Sequence, residues 1–131
     1  MSIEISMLVY ATALLIALVL IQATAGIQAQ GLLPMAGPRD NLPPPKPFQA
    51  RAKRCVDNHR EGLTMFAPLV LAAALTNVSN SWTVLGAELF FYSRVVHAAL
   101  YLAGVPLIRP LAWAVGLAGT LMLLLAVLRL I

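Results

Sequence analysis

From Ile5 to Gln28 the chain carries no Asp, Glu, Lys or Arg. A bilayer core is crossed by about 20 mostly apolar residues in a helix. An open sheet there would leave backbone groups unpaired in lipid, so a run of this kind restricts the chain to helices. The N-terminus, MSIEIS, has no basic residue. A secretory leader needs a positive region ahead of its apolar one, so the run is expected to be a retained membrane span.

The rest of the 131 residues is consistent with one membrane domain, 1–131. Sixty per cent of residues are hydrophobic and 11 per cent charged, against about 25 per cent charged in a soluble domain. Three further spans are expected, giving helices at about 5–28, 48–78, 82–103 and 107–130. Residues 29–47, AQGLLPMAGPRDNLPPPKP, are rich in Pro and Gly and are expected to form an extended polar loop. The later links are short, so neighbouring helices should be antiparallel. The fold class that follows is an all-α membrane protein, a four-helix transmembrane bundle.

Lys and Arg set the expected orientation. Arg39, Lys46, Arg51, Lys53 and Arg54 lie in or beside the first loop, none lies in the second, and Arg109 borders the third. The positive-inside rule places loops one and three in the cytoplasm and both termini on the other side; Arg129 alone counts against it. The net charge of +4 does not point to nucleic acid, because the basic groups cluster beside apolar runs rather than on a polar face. The lone Cys55 has no partner for an internal disulfide and is read as packing.

The stretch RAKRCVDNHREG opens the second helix. At about 100° per residue, Arg51, Arg54, Asn58 and Glu61 share one face, whereas Lys53, Asp57 and Arg60 point elsewhere. In the third helix Arg94, His97 and Tyr101 form another stripe. Charges inside a span normally face a partner or a cavity. The bland alternatives are a snorkelling basic anchor for Lys53 and Arg60, and an Arg94 that merely neutralises Glu61 or Glu88. Antiparallel packing brings both stripes, with Arg109 at the start of the fourth helix, to one level. Arginines bind carboxylates through paired charge-assisted bonds. Asn58 adds an amide, and Glu61 accepts an ammonium or peptide N–H. Such a pocket suits a small, multiply charged, peptide-like anion from the cytoplasm, with a lipophilic second reactant arriving from the membrane.

Arg54-x-x-x-Asn58-x-x-Glu61, then Arg94-Val-Val-His97-Ala-Ala-Leu-Tyr101, then Pro106-x-x-Arg109 resemble the signature of the membrane-associated proteins in eicosanoid and glutathione metabolism. The loop GPRDNLPPP is similar to that of bacterial members. The resemblance spans nearly the whole chain. It implies a homotrimer of four-helix subunits in the bacterial inner membrane, with glutathione bound between subunits. It implies that Arg51, Arg54, Asn58, Glu61, Arg94, His97 and Tyr101 bind the cofactor, and that Arg109 stabilises its thiolate. A cation beside a thiol does lower its pKa. Pro110, Trp113 and Gly62 depart from the prostaglandin and leukotriene synthases of that family. The implied activity is therefore a glutathione transferase or peroxidase acting on lipophilic electrophiles. The competing class is a non-catalytic binding or small-molecule transport protein using the same pocket, with Glu88 as an exporter-type carboxylate. A haem held by His59 and His97 is disfavoured because His59 lies off the stripe, and no metal site is expected.

Overall fold

The computed structural model describes residues 1–131. It contains α1 (Ile3–Gln30), α2 (Leu32–Ala36), α3 (Pro47–Leu75), α4 (Ser81–Ala103) and α5 (Arg109–Val127), and no strand. The four long helices run antiparallel in chain order and pack as a bundle in which α1 and α5 are the diagonal pair. Two of them, α1 and α5, are long and apolar enough to cross a membrane. The other two carry the ionisable stripes.

Local chemistry explains where each helix stops. Gly31, at φ 92, ends α1. The second long helix ends at Leu75, three residues before the expected Val78. There Asn77 adopts a left-handed φ of 56 and the Val78 N–H donates back to the Ala73 carbonyl. This is the Schellman closure, which Asn tolerates better than most residues. The same device ends α4 at Gly104, φ 75, where Val105 donates to Leu100. It also ends α5 at Val127 rather than Leu130, with Arg129 left-handed at φ 59. Asn80 starts α4 by accepting from the backbone N–H of Trp82 and Thr83. The loop at 29–47 is not wholly extended, because α2 forms one short helix within it.

Inside the bundle, Phe66 of α3 and Phe90 of α4 stack at 3.9 Å between ring centroids. Met7, Ala11, Leu63, Val70, Ala87 and Leu123 surround them. A second cluster, Leu18, Cys55, Val56 and Ala98, lies nearer the loop end. The closest backbone approach is between α4 and α5. A Cβ built on Gly119 would lie 2.4 Å from the Gly86 carbonyl oxygen, so only glycine permits this spacing. Large apolar side chains such as Leu20, Val96 and Leu111 stand exposed on the outer faces, as expected where lipid or another subunit covers the bundle.

Candidate functional site

The beginning of α3, the end of α4 and the beginning of α5 meet at one end of the bundle. Tyr101 of α4 is the hub. Arg54 Nε of α3 donates to its hydroxyl at 3.2 Å. The Arg109 guanidinium, on the first residue of α5, lies over the Tyr101 ring at 4.3 Å, and that of Arg54 lies 6.0 Å from the same centroid. His97, one turn earlier, meets the ring edge-on at 5.5 Å. Two cations thus meet one side chain: Arg109 is held over the ring by the attraction between guanidinium and π-face, and Arg54 by its bond to the hydroxyl. Pro110 follows Arg109 in the first turn of α5, where its missing N–H costs nothing and its fixed φ favours a helix start.

Deeper in, Arg94 is 3 % exposed. Its Nη2 donates to Asn58 Oδ1 at 2.7 Å and its Nε to His59 Nδ1 at 3.4 Å. His59 Nε2 lies 2.8 Å from the Ala11 carbonyl oxygen of α1. A carbonyl only accepts, so His59 carries its proton on Nε2 and offers Nδ1 to Arg94. An ordered relay of α1 backbone, His59, Arg94 and Asn58 results. Arg94 therefore rests on neutral partners and forms no ion pair with Glu61 or Glu88. The two ion pairs in the chain are Lys53 and Arg60 with Asp57. Both lie on the exposed face of α3 away from Tyr101, as the helical spacing implies.

The eight residues expected to form the site differ in what their polar atoms already do. Arg54 and Glu61 are exposed, and Glu61 has no hydrogen-bond partner. Asn58, Tyr101 and Arg109 are half-buried. His97 is buried, with Nδ1 lacking any partner. Arg51 is engaged elsewhere, because its Nε donates to the Leu102 carbonyl oxygen at 3.3 Å, closing the C-terminal end of α4. Residues 51, 54, 58, 94, 97, 101 and 109 are thus brought to one end of the bundle. Gly62 is buried where a Cβ would meet Phe90 at 3.5 Å and Arg94 Cζ at 3.7 Å. A large aromatic at 62 would compete with Phe90 and Arg94 for that volume.

Two features escape a reading by polar stripe. His59 looks peripheral because it lies off the Arg54–Asn58–Glu61 face. Its spacing from Val56, Leu63 and Phe66 marks it instead as a member of the buried face of α3. A cleft of about 430 Å³ also opens between α1, the loop and α3, with Gln30, Arg39, Gln49, Lys53 and Arg54 among its walls. Gln49 orders its edge by accepting from the Lys46 backbone N–H and from Gln30 Nε2. Arg54 thus borders both this cleft and the Tyr101 cluster. The chain holds no group of three or more His, Cys, Asp or Glu suited to a metal ion.

Searches of curated proteins and of solved structures return no match. The MAPEG family model, in contrast, matches residues 6–129, nearly the entire chain, and takes in every residue of the site described above. The chain belongs to the MAPEG family, whose members are membrane proteins of glutathione-related chemistry.

Proposed function

We propose that this protein is a glutathione-dependent transferase or peroxidase that acts on lipophilic electrophiles. It works as a homotrimer of four-span subunits in the bacterial inner membrane, with both termini on the non-cytoplasmic side. The observation that carries the reading is Tyr101 with the Arg109 guanidinium over its ring and Arg54 on its hydroxyl, in a chain of this family. The cluster supplies positive charge for the carboxylates of a glutathione molecule. Asn58 and Glu61 supply polar partners for its peptide and ammonium groups. Arg94 is fixed behind them by Asn58 and His59, so its charge is preorganised rather than recruited on binding.

Arg109 is assigned to the thiol. A guanidinium stays charged at any working pH, so it stabilises the thiolate as that forms and as it attacks the electrophile. Its place over a ring, rather than against a carboxylate, leaves its N–H groups available. The apolar outer faces of α4 and α5 are where a lipophilic reactant arrives.

Calorimetry of glutathione binding to the detergent-purified protein tests the reading. Arg54→Ala should weaken binding about tenfold or more, as expected for loss of a charged hydrogen-bonding partner. Arg60→Ala should change it little, because Arg60 pairs with Asp57 on the exposed face. Equal effects from the two would reduce the cluster to nonspecific basic charge. Binding without turnover of any aromatic halide or lipid hydroperoxide would favour the non-catalytic binding protein.

A further inference from the structure

Glu4 stands at the opposite end of the bundle from the arginines. Counted along α1, it is about 39 Å from Gln30, at 1.5 Å per residue. Its side chain is buried, with the residue 3 % exposed. One carboxyl oxygen is well served: Ser79 Oγ donates to Oε1 at 2.8 Å and Thr83 Oγ1 donates to it at 2.5 Å. The other, Oε2, is buried with no hydrogen-bond partner. It forms no ion pair, since both ion pairs of the chain are on Asp57. The first turn of α1 favours a carboxylate at Glu4, yet Oε2 itself has no partner, and Glu4 is among the residues lining a cavity of about 300 Å³.

The walls of that cavity restrict what completes it. Val70, Ala73, Ala74 and Val78 make most of the lining apolar, and Ser2 and Asn77 add neutral polar groups. Glu4 is its one charge. Calcium and magnesium need several oxygen ligands with more than one carboxylate as a rule, and no such group exists here. A quaternary ammonium has no N–H to give Oε2 and is normally held by aromatic rings, yet no aromatic residue lines the cavity. A primary ammonium fits both constraints. It has three donors, and a short methylene stem would rest on the apolar wall.

We propose that the Glu4 cavity binds a primary ammonium group, presented either by the ethanolamine headgroup of a membrane lipid or by a small free aliphatic amine. The N-terminus of α1 and the α3–α4 turn place the cavity at the end of the bundle, the level at which a headgroup lies. The ammonium donates to Oε2 while Ser79 and Thr83 hold Oε1, so both carboxyl oxygens become satisfied.

The full-length protein in phosphatidylcholine nanodiscs, with or without phosphatidylethanolamine, provides the test, read by thermal unfolding and by lipid retention in native mass spectrometry. Ethanolamine lipid should raise the melting temperature and be retained over choline lipid. Glu4→Gln, which keeps an acceptor for Ser79 and Thr83, should lose that preference by about tenfold or more. Adding n-propylamine to the phosphatidylcholine discs separates the sources. Stabilisation by the amine and not by the lipid assigns a free ligand, and the reverse assigns the headgroup. In the unsubstituted protein, tetramethylammonium should not reproduce the effect of propylamine. Absence of any ethanolamine or propylamine effect overturns the proposal, as does an equal effect in Glu4→Gln. Should that variant fail to fold, equal stabilisation by propylamine and tetramethylammonium in the unsubstituted protein overturns it. Glutathione binding at the far end is independent of every outcome.

Discussion

Replacing Gly119 by alanine should loosen the α4–α5 seam measurably. The added Cβ would stand 2.4 Å from the Gly86 carbonyl oxygen and 2.9 Å from the Phe90 backbone nitrogen. Even a weak C–H···O contact needs about 3.3 Å, so the two backbones must part locally by about 0.9 Å. Neither obstructing atom belongs to a side chain that could rotate away. Overpacking costs about 1–3 kcal/mol in general, and an obstruction made of backbone should place this site near 2–3 kcal/mol. At about 2 kcal/mol the folding equilibrium shifts about thirtyfold. Reversible unfolding in mixed micelles reads it, since Trp82 on α4 and Trp113 on α5 report on these two helices. Gly62→Ala is the matched control. Its Cβ meets Phe90 at 3.5 Å and Arg94 Cζ at 3.7 Å, ordinary contact distances, and alanine in a helix gains about 0.5–1 kcal/mol over glycine. The two variants should therefore move in opposite directions. Equal stabilities would refute the argument, because it would mean that the close approach at Gly119 contributes nothing to the packing of α5.

Four further outcomes are expected. Arg109→Ala should retain most glutathione affinity while losing the ultraviolet absorbance of bound thiolate and the turnover of aromatic halides, since an interaction used mainly with the thiolate affects rate more than ground-state binding; weakened binding with intact turnover would make Arg109 a carboxylate clamp. Tyr101→Phe should weaken glutathione binding only a few-fold, because it removes the Arg54 hydrogen bond and keeps the ring beneath Arg109, whereas Tyr101→Leu should do more; calorimetry on both decides. His59→Leu should destabilise the fold by about 1–3 kcal/mol, the cost of stranding a buried donor on Arg94, and chemical unfolding measures it. A reporter fused at Ile131 should be active outside the cytoplasm and silent within it.

Much of this architecture is visible in residue order alone, for definable reasons. The uncharged run of α1 reads as a helix because period and length leave no alternative, and its observed ends differ from 5–28 by two residues each. The end of α3 is less legible, because apolar Val78 follows Asn77 and hydropathy runs past the turn. Asn at a left-handed position is the signal that marks the true end. The short helix α2 is hidden by Pro34 and two glycines, which argue for a loop more strongly than five residues can argue against it. In the site, helical spacing places Arg51, Arg54 and Asn58 together and sets Lys53, Asp57 and Arg60 apart. Spacing along α3 does not show what a side chain meets on another helix. Arg51 turns to a carbonyl of α4, and His59 turns from an apparent outlier into the link between α1 and Arg94.

The bond from Arg51 to the last turn of α4 bears on how distant descendants of this chain should be interpreted. Where a lineage abandons its chemistry, charges that served only the ligand drift freely. Arg51 is sheltered from that drift, because its loss also uncovers a carbonyl at the negative end of a helix dipole. Its persistence in a divergent sequence would testify to an intact α4 terminus and say little about turnover. Exposed Glu61, which makes no hydrogen bond within the chain, has no such shelter. Its replacement would be an early mark of a member that has kept the fold and given up the reaction.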